Sequence, residues 1–105
     1  MDEETKLCLI YTTHKSEKDA EVLAEKLVRS GHLVCANVFA AGKSVYMWNG
    51  GVNVDDEAFA IFKTTPDKLY ALEEEYLKEH PYDTPCFIVI NSKHVNLEYL
   101  SWARS

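Results

Sequence analysis

The chain is short of everything that would divide it or tie it to a membrane. Only 4 glycines and 3 prolines occur in 105 residues, and there is no Ser/Gly-rich linker, repeat or low-complexity tract. One uninterrupted domain, residues 1–105, follows, with room for a single two-layer core. No stretch approaches the roughly 20 apolar residues of a membrane span. The opening Met1-Asp2-Glu3-Glu4 is acidic where a secretory leader would be basic and then apolar. Positive charge is scarce as well: 11 Lys+Arg face 17 Asp+Glu, for a net charge of -6. That sign repels phosphate backbones and anionic lipid, which argues against nucleic acid or a membrane surface as partner. The three cysteines, Cys8, Cys35 and Cys86, are odd in number, far apart and set in apolar runs. A disulfide framework is not expected, and a reducing, cytoplasmic compartment is.

What is present alternates between two periodicities. Residues 6–13 carry Leu7-Cys8-Leu9-Ile10-Tyr11, a nearly continuous apolar run that predicts a central strand covered on both faces. Ser16 is the expected cap of a helix whose stripe is Ala20, Leu23, Ala24, Leu27 and Val28, with Glu25–Arg29 as an outward pair and Gly31 as its stop. Leu33 to Trp48 reads as strand with a break near Ala41-Gly42. Asn49-Gly50-Gly51 then turns the chain into a returning strand from Val52 to Thr64. Thr65 and Pro66 open a second helix, with Leu69, Leu72, Tyr76 and Leu77 inward, and Pro81 ends it. A strand over residues 85–91 and a short helix over residues 96–103, capped by Asn96, complete the chain. The order is that of the ferredoxin-like β-α-β-β-α-β sandwich, an α+β fold, here with a long β2–β3 hairpin and a short C-terminal helix.

That arrangement demands company. In the first and last strands both alternating sets are apolar, whereas a sheet with one wet face should alternate apolar with polar. The strand from Leu33 to Trp48 would span about 50 Å, longer than a body of this size. It must bend at Gly42 or project as an arm bearing Val45, Tyr46, Met47 and Trp48. A closed homo-oligomer resolves both difficulties.

Leu9-Ile10-Tyr11-Thr12-Thr13, Val34-Cys35-Ala36-Asn37, Tyr46-Met47-Trp48, Lys63-Thr64, His80-Pro81-Tyr82-Asp83-Thr84-Pro85 and Tyr99-Leu100-Ser101-Trp102 stand in the order and spacing of the CutA family. The chain resembles these divalent-cation tolerance proteins from about Leu7 to Trp102, departing at Val34-Cys35-Ala36-Asn37, where the family usually has Ala-Cys-Val-Asn. The resemblance implies a very stable homotrimer, non-enzymatic, similar in architecture to PII-type signalling proteins. It also implies an association with copper and other divalent cations, and an inter-subunit cleft carrying Cys35, Trp48, Lys63, Tyr82, Tyr99 and Trp102.

The residues themselves leave the chemistry open. No CxxC or tight Cys/His cluster marks a soft-metal site, which disfavours a copper chaperone of the MxCxxC kind. Cys35 is either a buried small apolar residue or a thiolate ligand, and His80 either a cation at a helix C-terminus or a metal ligand. Cys8 and Cys86 read as core. His14, His32 and His94 read as surface. Asp55-Asp56-Glu57 reads as a solvated face able to hold Ca²⁺ or Mg²⁺ only weakly. Lys63 follows Ala60-Ile61-Phe62 on a strand expected to be central, where a lone ammonium is costly. It should find a carboxylate, Glu57 being the candidate, or bind a small anion. Two function classes therefore stand: a divalent-cation (copper) tolerance trimer holding its cation weakly, or a PII-like scaffold binding a small anionic ligand between subunits. An enzyme is disfavoured, since Cys35 with His80 lacks an orienting third group, and the only arginines, Arg29 and Arg104, sit in no phosphate-binding loop.

Overall fold

The computed structural model describes residues 5–105, so the acidic opening at residues 1–4 lies outside the described residues. Strand β1 (Cys8–His14) leads to helix α1 (Glu17–Arg29), then to the paired strands β2 (Cys35–Trp48) and β3 (Gly51–Thr64). A 3₁₀ turn (Pro66–Lys68) runs into α2 (Leu69–Glu79), followed by β4 (Phe87–Asn91) and α3 (Leu97–Arg104). The sheet order is β2-β3-β1-β4 with every neighbour antiparallel, the ferredoxin-like topology. Among the described residues no helix is long and apolar enough to cross a membrane.

Local chemistry explains the joints. Ser16 is extended and its Oγ accepts from the Asp19 N–H at 3.1 Å, capping α1. Gly31, at φ 83°, closes its other end. Asn49 (φ 50°) and Gly50 (φ 80°) are the two centre residues of the hairpin turn between Trp48 and Gly51, the pair of positive φ values that matches strand twist. Thr65 is extended before the 3₁₀ turn but makes no side-chain cap, so that helix start rests on the Pro66 ring alone.

The core lies between the two long helices and one sheet face. Cys8, Ile10, Ala60 and Phe62 from the sheet meet Leu23, Ala24 and Leu27 of α1 and Leu72 and Tyr76 of α2. Two stripe residues fall outside it: Val28 is 41% exposed and Leu77 46%, because each sits at the margin of its stripe, beyond the edge of the layer beneath. The opposite sheet face carries neither long helix, and Tyr99 of α3 reaches it at its Cys35–Lys63 end. Register places Leu9, Tyr11, Cys35, Asn37, Phe39, Phe59, Ile61, Lys63, Ile88 and Ile90 on it. Phe39, Ile88 and Ile90 remain about half exposed there. Within one chain β1 is thus covered on one face only.

The long hairpin does project. The molecule measures 46 × 26 × 23 Å, and Val45, Met47, Trp48, Val52 and Val54 stand exposed along the arm. Its β2–β3 register shifts between Phe39 and Gly42, at the expected break. Ala41 takes the left-handed conformation there (φ 61°), and Gly42 admits the Phe59 ring so closely that no Cβ would fit.

Candidate functional site

Two constellations and one outlier emerge from the residues singled out in the sequence. The first is built on facing positions of two strands and one helix. Cys35 on β2 stands opposite Lys63 on β3, and α3 brings Tyr99 against them, with Trp102 one helical step further on. Tyr99 Oη is the hub: the Lys63 ammonium donates to it at 3.2 Å, and the Cys35 thiol lies 3.5 Å away. Lys63 Nζ is also 5.3 Å from the Tyr99 ring centroid, and that ring packs on Trp102 at 5.5 Å. The hydrogen bond to Tyr99 holds the Lys63 pKa above its ordinary value, against a smaller opposing effect of burial. Lys63 is a firm cation.

The expected Lys63–Glu57 pair is not made. Residues six apart along a strand are separated by about 20 Å. Glu57 instead anchors the second constellation, where it accepts from Tyr82 Oη at 2.8 Å and from Ser44 Oγ. Burial, then the Glu57 carboxylate it donates to, drives the Tyr82 phenol well above its usual pKa. Next to it, His80 is buried and its ring is fully engaged. Nδ1 accepts from the Tyr82 backbone N–H at 3.2 Å, which leaves Nε2 as the donor to the Thr13 carbonyl at 2.9 Å. Both ring nitrogens are thus held within the chain. A groove of about 950 Å³ opens beside this group, lined by Tyr11, Lys15, Lys43, Glu57, Phe59 and Tyr82 among others. Trp48 belongs to neither constellation: it sits at the arm's tip, 64% exposed.

The acidic run is solvated but occupied. Asp55 accepts from Tyr46, Asp56 pairs with Lys43, and Glu57 is held as described. Cys8 is core, at 2% exposure, while Cys86 is half-buried with its thiol pushed up by burial. All three cysteines are free. His94 is exposed and His32 half-buried, but His14 is not at the surface: it is 2% exposed and packs 5.1 Å from His80, centroid to centroid. Its Nε2 bonds Thr12 Oγ1 at 2.8 Å, and its pKa is pushed down to about 4, by burial first and His80 second, with Asp19 opposing. Strand parity carried that signal, since His14 shares a face with Cys8, Ile10 and Thr12. Ser44 had no such signal, because its partner is set by the register beyond the bulge.

Among the described residues no three His, Cys, Asp or Glu side chains converge closely enough to hold one ion. Cys35 lies with Lys63 and Tyr99, His80 with Thr13 and Tyr82, and binding an ion would cost His80 one of its two bonds. Among the described residues, a metal site closed within one chain does not fit.

Residues 8–105 match the family model for the CutA1 divalent ion tolerance protein. The divalent-cation tolerance protein CutA of Thermotoga maritima is 38% identical over 98 residues, covering 93% of this chain and 96% of that one. The solved CutA1 of Ehrlichia chaffeensis superposes with a TM-score of 0.92 at 31% identity, over 95% of this chain and 94% of its own. A CutA of Archaeoglobus fulgidus, described as a periplasmic divalent cation tolerance protein, gives a TM-score of 0.88 at 31% identity over 93% and 95%.

Proposed function

Because the chain belongs to the CutA1 family of divalent ion tolerance proteins, we propose that it acts in divalent-cation tolerance, copper first among the cations, as a homotrimer and without catalysis. The observation that carries the assembly is the sheet face opposite the two long helices together with the apolar arm. Fully burying an Ile or Phe side chain contributes about 1.5–3 kcal/mol, so covering each half-exposed one adds about 1 kcal/mol. A closed ring gives every copy that gain at once. Trp48, stranded at its own tip, would then meet a neighbouring chain.

The cation is held weakly, with the Cys35 thiol as soft donor on the face where a second copy can add ligands. His80 joins only by surrendering Thr13 or Tyr82. Free thiols suit a cytoplasmic setting.

Calorimetric titration of the intact protein with Cu²⁺, as wild type, Cys35→Ser and His80→Ala, tests the metal part. The expected result is at least a tenfold loss of affinity in Cys35→Ser. Unchanged binding in both variants overturns it.

A further inference from the structure

We propose that the cavity between β1, α1 and the end of α2 binds a small organic molecule, an apolar body bearing one hydroxyl or amino donor that hydrogen-bonds to His14 Nδ1. The cavity has a volume of about 320 Å³, at the small end of ligand sites, which run to about 1,000 Å³. It lies on the helix side of the sheet, so assembly through the opposite face leaves it accessible. Two buried imidazoles line it. Both nitrogens of His80 are engaged, by Thr13 and Tyr82, but His14 uses only Nε2. The Thr12 hydroxyl has one proton and donates it to the Ala60 carbonyl at 3.3 Å. The 2.8 Å bond to His14 therefore runs from Nε2–H to Thr12 Oγ1. Burial keeps the ring uncharged at neutral pH, so Nδ1 is a bare lone pair. Among the described residues Nδ1 has no hydrogen-bond partner, and yet the one fully sealed side-chain nitrogen or oxygen without a partner is Thr65 Oγ1. Nδ1 thus opens on the cavity that His14 lines.

An acceptor so far withdrawn from water is costly to leave unpaired, and a donor placed against it recovers the bond. The walls set the rest of the molecule. Val22, a large apolar side chain left exposed on α1, lines the cavity with Leu23 and Pro81, and none of the three offers a polar side-chain atom. The rim is balanced in charge: Lys26 and Glu79 pair at 2.6 Å, and Asp19 is offset by Lys15. Asp19 forms no ion pair among the described residues, so an amine would gain from its carboxylate as well, whereas an alcohol would rely on His14 alone. This site uses neither Cys35 nor Lys63, needs no metal and does not rest on the tolerance reading.

The test is titration of the intact protein at neutral pH with benzyl alcohol, benzylamine and benzyl methyl ether, which share one body and differ in the donor. Binding is read from the nitrogen-15 resonances of the histidine rings. Wild type should bind the alcohol or the amine saturably, with a shift of His14 Nδ1, and the ether at least about threefold more weakly, the worth of one neutral hydrogen bond. Tighter binding of the amine would make Asp19 the second partner, and tighter binding of the alcohol would identify a neutral ligand. Val22→Trp fills the cavity from its exposed wall and should weaken binding at least tenfold with unchanged circular dichroism and sedimentation. His14→Phe should erase the difference between alcohol and ether; if that variant does not fold, the Nδ1 shift and Val22→Trp decide. No saturable binding by wild type overturns the proposal. So does binding without a shift of His14 Nδ1, equal binding of the ether, or undiminished binding by Val22→Trp.

Discussion

Replacing Gly42 by alanine tests the geometry of the arm directly. A Cβ at Gly42 would lie 1.6 Å from Phe59 Cε2, 2.6 Å from Cδ2 and 2.7 Å from Cζ. Carbon atoms rest about 3.5–4.0 Å apart, so the ring must retreat by about 2 Å. It is stacked on Tyr11, with centroids 6.2 Å and planes 20° apart. Retreat therefore breaks that stack or opens the bulge beside Ala41. Overpacking of this kind costs about 1–3 kcal/mol. At roughly 4–8 °C per kcal/mol for a domain of this size, Gly42→Ala should lower Tm by about 5–20 °C. Scanning calorimetry at matched chain concentration is the assay, because association contributes to Tm. Phe59→Ala removes the obstacle, so the double variant should be less destabilised than the sum of the single variants by at least about 1 kcal/mol. A Gly42→Ala protein within about 2 °C of wild type, or strict additivity, refutes the close approach.

Three further outcomes follow from particular contacts. His14 is held near pKa 4 against about 6.5 in an unfolded chain, so its neutral form stabilises the fold fully above pH 6.5. That stability fades as pH falls toward 4, by about 3 kcal/mol at most, and denaturant midpoints of His14→Gln should show a flatter profile over that window. Tyr76 Oη donates to the Cys86 carbonyl at 2.7 Å, so Tyr76→Phe should cost about 1–2 kcal/mol in chemical denaturation while leaving assembly intact. Ile88→Lys places a charge on the half-exposed sheet face opposite the two long helices and should shift sedimentation toward smaller species with little change in circular dichroism.

Much of the fold was legible because period and punctuation agree in this chain. Ser16, Gly31 and Asn49-Gly50 sit where backbone chemistry requires them, and the β1 run is central as its two apolar sets imply. The stripe margins were not legible, since whether Val28 or Leu77 is covered depends on the reach of the layer beneath and not on helical phase. Site residues were legible one by one but not in their groupings. Cys35, Lys63, Tyr99 and Trp102 meet through cross-strand register and the docking of α3, neither of which local periodicity encodes. Pairing Lys63 with Glu57 failed on distance along the strand, and Lys63 donates to the Tyr99 hydroxyl instead. His14 lies one residue past the expected strand at 6–13, where strand parity alone sets it on the core face.

The whole account turns on whether the sheet face opposite the two long helices can remain in water. Sedimentation equilibrium of the intact protein at micromolar concentration answers this most directly. The expected species is about 36 kDa, three copies of the 12.0 kDa chain, persisting on dilution. A single species of 12.0 kDa with native circular dichroism would contradict it.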